Sequence, residues 1–216
     1  MSYMYNTGRM EFYEKIKLHS KYIKKKVLDV GAGNFSRYKD LFKFDEYIRM
    51  DIRPMAGIDV VGEIENIPFP DETFDSIICT QVLGDVFNIK KAFEELHRVL
   101  KQSGVILVTE SLLSHLHDEP NDYWRFTEHS LRRLAEEAGF EVLVLERCGG
   151  YRSVMAQMRA RYWIERLGAH GKWFSRIFSL GLKILGSWAR FLDRNDYSIA
   201  NKLFTHGYIL IARKNA

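Results

Sequence analysis

Asp29, Gly31, Gly33 and Asp51 are the residues whose types and spacing could most directly do chemistry. The apolar run "KVLDV" stops in Gly31-Ala32-Gly33, and a second run, "YIRMDI", reaches Asp51 twenty residues past Gly31. Glycine lets the backbone approach a ligand where a Cβ would collide. A carboxylate at the end of the neighbouring strand accepts two hydroxyl hydrogen bonds from a ribose diol.

Two ligands satisfy that pattern, a dinucleotide and S-adenosylmethionine. A pyrophosphate calls for a third glycine, for close approach and tight helix packing. Here Asn34-Phe35-Ser36 follows Gly33. An adenosyl ligand has no pyrophosphate, so the missing glycine costs it little. Taken alone, the Gly-x-Gly turn also reads as an ordinary tight connection between a strand and a helix.

The most ionisable cluster is His115, His117, Asp118 and Glu119. His117 is a candidate general base, because an imidazole titrates near neutrality, and it is equally a candidate for orienting a loop. Tyr123 and Arg125 are candidates for shaping an acceptor pocket, Arg125 offering its planar fork to a phosphate or carboxylate. Trp124 is expected to pack beneath the helix that follows. There is no Ser-His-Asp order, and the His-x-His-Asp run has no second cluster to complete a metal site, so no metal is expected.

The elements that must position these residues alternate. Helical spacing is expected over 9–24, and strands over 26–30, 47–52, 58–64, 74–82, 104–111, 141–147 and 206–214. Further helices are expected over 89–101, stopped by Ser103-Gly104, and over 127–140, with Thr127 as N-cap and Gly139 as the stop. Strands alternating with helices make an α/β fold, a parallel sheet wound on both faces. In such sheets ligands sit beyond the carboxyl ends of the strands.

With 216 residues, 46% hydrophobic and 13% aromatic, the chain reads as one domain, 1–216, with a real core, and not as a disordered segment. Two cysteines and no leader-like segment point to a reducing, cytoplasmic setting. Residues 151–216 hold 12 Lys+Arg against 3 Asp+Glu, while residues 1–150 hold 20 against 25. The last third is therefore suited to an anionic partner.

"VVGEIENIPFPDETFDSIICTQVL" and "LHDEPNDYWRFTEHSLRRLAEEAGFEV" resemble segments of the class I S-adenosylmethionine-dependent methyltransferases, more narrowly of their UbiE or type 11 group. The resemblance covers roughly 26–147 and the final strand. It implies a Rossmann-like, seven-stranded, mostly parallel sheet with the last strand antiparallel, and S-adenosylmethionine as cofactor. It implies that Gly31 and Gly33 approach the methionine part and that Asp29 reaches its amine through water. Asp51 would bind the ribose hydroxyls and Ile52 would pack on adenine. Glu63, where the family more often has Asp, would accept from the adenine amino group beside the Ile64 amide. Thr80 and Gln81 would hold the methionine amine by their carbonyls. The chain departs from the pattern at Phe35, in place of a third glycine, and at Leu83-Gly84-Asp85-Val86, where many relatives read "LEHV".

A helical insertion is expected over about 152–203, before the last strand. Within it Arg176, Lys183 and Arg190 recur every seven residues in an otherwise apolar stretch. On a helix this makes one polar stripe. Three uses compete: a lid on the pocket, a homodimer interface, or peripheral membrane contact through 172–194. The high apolar fraction makes a nucleic-acid track unlikely. Two uses are open for residues 3–9: closing over the cofactor as a lid, or covering the sheet edge. The expected function is methyl transfer to a small-molecule, lipid-linked or sugar-linked acceptor. The alternatives are an inactive S-adenosylmethionine-binding protein and an RNA methyltransferase docking through the basic block.

Overall fold

The computed structural model describes residues 6–34, 37–168 and 175–215, with the backbone alone for 175–179. Residues 3–5 of the N-terminal segment, Phe35, residues 172–174 and the Arg176 side chain lie outside the described residues. One seven-stranded sheet runs in the order β3-β2-β1-β4-β5-β7-β6. Its strands are β1 Lys26–Val30, β2 Glu46–Asp51, β3 Val60–Val61, β4 Phe74–Thr80, β5 Leu100–Ser111, β6 Phe140–Cys148 and β7 Gly207–Lys214. The pairs among β3, β2, β1, β4 and β5 are parallel, and β7 runs antiparallel between β5 and β6.

Both faces of the central strands are covered, which is why these strands read as unbroken apolar runs. Val27, Ile78, Leu107 and Ile211 pack on one face against Phe12 and Ile16 of α1 Thr7–His19. Leu28, Ile77, Ile106 and Leu210 pack on the other against Phe93 and Leu96 of α2 Ile89–Val99 and Leu131 and Ala135 of α3 Glu128–Glu137. Thr127 caps α3 as expected, accepting from the Ser130 amide at 3.2 Å. Gly139, at φ +90°, closes the connection that follows. Cys79 and Cys148 are buried and unpaired.

Three expectations shift. The third strand is only Val60–Val61, and Gly62 directly after it passes under Pro68, where a Cβ would come within 2.8 Å of the ring. The Ser103-Gly104 signal does not stop α2. The helix ends at Val99, and Ser103, at φ +61°, lies in an irregularity of β5, where pairing jumps from Phe74↔Leu100 to Ser76↔Val105. Among the described residues, β1 and β2 are joined by a single 3-10 turn, Lys39–Leu41, and no α-helix.

The insertion comprises α4 Tyr151–Arg166, α5 Ser175–Arg194 and α6 Ile199–Lys202. Asp193 of α5 reaches back to the start of α4, accepting from the Arg152 and Ser153 amides at 3.0 and 2.8 Å. Carboxylates are favourable at a helix N-terminus because its first amides lack partners. Asn201 accepts from the Tyr151 amide at 2.8 Å and donates to the Asp193 carbonyl at 3.1 Å. Arg190 is buried and pairs with Glu11 and Glu14 of α1, both at 2.5 Å, and Arg194 also pairs with Glu14. The expected single polar stripe is therefore divided. Arg190 turns inward onto α1, while Lys183 faces solvent.

Glu11 is itself buried. Removing its partner leaves a carboxylate in the interior, which costs far more than losing a surface pair. Arg190→Ala is expected to lower the unfolding free energy by about 3 kcal/mol in urea titration. A change below about 0.5 kcal/mol would place the pair with ordinary surface contacts.

Candidate functional site

A cavity of about 610 Å³ opens beyond the carboxyl ends of β1, β4 and β5, roofed by α1 and α4. Its floor is the glycine turn. Gly31 and Gly33 sit at φ +67° and +61°, in the left-handed region that side chains rarely adopt. A Cβ on Gly31 would lie 2.3 Å from a Val82 methyl, while the position of a Cβ on Gly33 faces open space. The Gly33 amide donates to Asp51 Oδ2 at 3.0 Å, and the Gly33 carbonyl accepts from Arg49 Nη2 at 2.5 Å. The other Asp51 oxygen takes the Arg53 amide at 3.0 Å. Each carboxylate oxygen thus keeps lone-pair capacity for a further donor.

Asp29 lies beneath the turn, accepting from the Tyr47 hydroxyl at 2.7 Å. Burial pushes its carboxyl up to about 6, against the pull of the Tyr47 bond and the Arg49 charge. Gln81, at the end of β4, is held at φ +58°, a conformation uncommon for a side-chain-bearing residue. Its amide donates to the Thr109 carbonyl at 2.8 Å, and its side-chain oxygen accepts from Ser111 at 2.5 Å. The cavity gathers Asp29, Gly31, Gly33, Thr80 and Gln81. Asp51 stands one hydrogen bond away, and Ile52, Glu63 and Ile64 follow along the β2–β3 edge without lining the cavity. Ile52 and Glu63 are exposed there and Ile64 is buried.

The opposite wall carries His117. Its Nδ1 lies 3.1 Å from the His115 carbonyl and 3.4 Å from Asp122 Oδ2, and its Nε2 lies 3.8 Å from Asp85 Oδ1. The bidentate Arg125 bond, at 2.5 and 2.8 Å, holds the Asp122 carboxyl well below the usual range. Burial raises Asp85, although the neighbouring His117 opposes this. The sequence expectation that nothing completes a cluster around His117 needs correction: Asp85, His117 and Asp122 bring donor atoms within 4.8 Å of one another. The Arg125 guanidinium already supplies the positive charge beside Asp122.

Arg125 and Tyr123 do not line the cavity. Arg125 is spent on Asp122 and on the His115 and Trp124 carbonyls, and the Tyr123 hydroxyl donates to Asn121 at 3.0 Å. Trp124 is 43% exposed and so does not pack beneath α3 as expected.

Four contributors were not singled out from sequence. Arg49 grips the glycine turn, and its one signal is a charge inside an apolar strand. Asp122 orients His117, with no signal beyond its nearness in sequence. Glu110 of β5 accepts from the Val82 and Leu83 amides at 3.0 and 2.7 Å, and burial pushes its carboxyl up to about 8. His206 precedes β7 and lines the cavity between Gly8 and Gly149, where a Cβ on Gly149 would come within 2.6 Å of its ring. Burial depresses His206 to about 4, and its Nε2 is enclosed without a hydrogen-bond partner.

Residues 28–108 match the family model described as a methyltransferase domain. The ubiquinone/menaquinone biosynthesis C-methyltransferase of Enterobacter sp. strain 638 is 32% identical over 99 residues, 43% of this chain and 39% of that protein. A sterol 24-C-methyltransferase of Aspergillus fumigatus is 28% identical over 154 residues, 59% of this chain and 40% of that protein. The chain thus spans about half or less of the length of the curated relatives it matches. The solved YcgJ protein of Bacillus subtilis shares the fold at a TM-score of 0.59 and 17% identity, over 96% of this chain and 99% of that one.

Glu110 and Asp29 both hold protons in the folded state at pH values where the unfolded chain has lost them. A raised carboxyl lowers stability as pH rises from its unfolded value through its folded one. Above about pH 6.5, where the depressed His206 adds no opposing slope, melting temperature is therefore expected to fall toward about pH 8, and Glu110→Gln should flatten that slope. An unchanged slope in the variant would remove Glu110 as its source.

Proposed function

We propose that the chain is a class I S-adenosylmethionine-dependent methyltransferase that methylates a small-molecule, lipid-linked or sugar-linked acceptor in the cavity beneath α1 and α4. The observation that carries this reading is the left-handed Gly31–Gly33 turn. It is clamped by Asp51 and Arg49 and opens on a cavity that also holds His117. The residues fit the cofactor: backbone without side chains where the ligand must approach, and an acceptor-rich carboxylate one strand away. When bound, S-adenosylmethionine supplies a methyl group activated on a sulfonium.

Asp51 accepts from the ribose hydroxyls while remaining bonded to Gly33. Ile52 packs on the adenine, and Glu63 with the Ile64 amide reads its edge. Asp29, Thr80 and Gln81 surround the amine end. The protein's remaining task is to align an acceptor and take its proton. The Asp122 carboxylate and the His115 carbonyl keep the His117 proton on Nδ1, which leaves Nε2 as the base. Asp85 then stabilises the imidazolium. Arg125 acts through Asp122 as a positioning residue. His206, held neutral by burial, lines the cavity wall with its Nε2 enclosed. Tyr123, with its ring against Phe87, shapes the outer rim. The relatives' names, a quinone-pathway and a sterol methyltransferase, favour a small or lipid-like acceptor.

Calorimetric titration with S-adenosylhomocysteine tests the reading. The wild-type protein should bind it and show no heat with NAD. Asp51→Ala should bind at least about tenfold more weakly, as hydrogen bonds to a charged group are worth roughly 1.5–3 kcal/mol. Equal affinity in the variant would remove the ribose role of Asp51, and no binding by the wild type would remove the cofactor reading.

A further inference from the structure

α5 is turned inside out along its second half. Leu180, Ile184, Trp188 and Phe191 fall on one line of the helix and are 59%, 62%, 61% and 57% exposed. Leu185, beside them, is 64% exposed. The charged edge points the other way: Arg190 is buried against Glu11 and Glu14, and Asp193 is buried at the start of α4. These interior bonds fix the rotation of the helix, so the apolar line cannot roll inward without abandoning them. A contiguous apolar strip of this kind marks a contact surface, whereas isolated exposed leucines do not.

The charge around the strip selects its occupant. Residues 151–216 carry 12 Lys+Arg and 3 Asp+Glu. Among the described residues Arg152, Arg161, Arg190, Arg194, Arg213 and Lys214 meet acids, while Arg159, Arg166, Lys183 and Lys202 are exposed and form no ion pair. The three acids of 151–216 are engaged: Asp193 caps α4, Asp196 pairs with Arg152 at 2.6 Å, and Glu165 pairs with Arg161 at 2.6 Å. Two copies meeting here would bring like charges together, whereas an anionic bilayer offers opposite charge and an apolar layer beneath it. Lys183 flanks the strip in solvent, placed to reach phosphates from an apolar stem. Tyr162 and Trp163 of α4 are also exposed, and these residue types favour the boundary between water and lipid.

We propose that α5 docks the protein flat on an anionic phospholipid surface, with Leu180, Ile184, Trp188 and Phe191 entering the boundary between headgroups and acyl chains. No helix among the described residues is long and apolar enough to cross a membrane, so the contact lies in the surface plane. α5 packs on α1 and α4, the roof of the cavity, and docking brings that roof to the lipid.

Flotation of the full chain with vesicles tests this. The protein should float with vesicles containing about one third phosphatidylglycerol, at least tenfold more than with phosphatidylcholine alone, and salt should weaken the binding. Ile184→Ser combined with Trp188→Ser should cut flotation at least tenfold, with melting temperature and S-adenosylhomocysteine affinity unchanged. Lys183→Glu should weaken binding to anionic vesicles only. Absence of flotation with anionic vesicles would overturn the proposal. So would equal flotation by the double variant, or a concentration-dependent dimer in sedimentation that the double variant abolishes.

Discussion

The bond from the Gly33 amide to the Asp51 carboxylate is the contact on which the site depends. It ties the end of β1 to the end of β2, and it holds the turn in a left-handed form that no helix or strand would impose. Arg49 completes the clamp from the carbonyl side. A loop fixed on both sides of one residue presents its backbone without waiting for a ligand, so less ordering remains to be done on binding. The same bond restricts Asp51, whose two oxygens already carry backbone donors and point in fixed directions.

The wall that carries His117 is built on a different principle, the burial of carboxylates. Glu110 sits in the interior and gathers the amides of the segment after β4. Gly84, within that segment, accepts from the Tyr123 and Trp124 amides at 2.9 and 3.0 Å. Asp122 then fixes Arg125 and His117. One chain of hydrogen bonds therefore runs from β5 to His117, and each link removes a polar group that would otherwise be stranded. Tyr123 and Arg125 lie on this chain and not in the cavity, so the motif that drew attention in the sequence positions His117 from behind.

What was legible in the sequence follows from range. The strands showed as apolar runs because both sheet faces are covered, and the antiparallel β7 came with the family resemblance. Gly31, Gly33 and Asp51 showed because turn and strand end are local features. Glu110 and His206 did not, because the segments they meet lie far away in sequence, and Arg49 did not, because a single polar residue in a strand has no period. Ser103-Gly104 misled for the same reason: a left-handed Ser103 fits an irregular strand as well as a helix stop, and only the pairing of β5 with β4 decides between them.

The seven-residue recurrence in α5 shows how far composition can carry a reading. Arg176, Lys183 and Arg190 share a spacing, yet spacing does not say which way a stripe faces. Ordinarily the apolar side turns inward because burial is worth about 25 cal/mol per Å². Here Glu11 on α1 and the open amides of α4 compete for the other side. A buried guanidinium bonded to two carboxylates, and a carboxylate capping a helix, both fail badly if α5 rotates, since each would leave an unpaired charge or open donors inside. Exposing a few leucine and aromatic side chains costs less than stranding those groups. The outward apolar line is therefore a consequence of the inward charges. A surface held open in that way gains free energy from any partner that covers it without touching the ion pairs beneath.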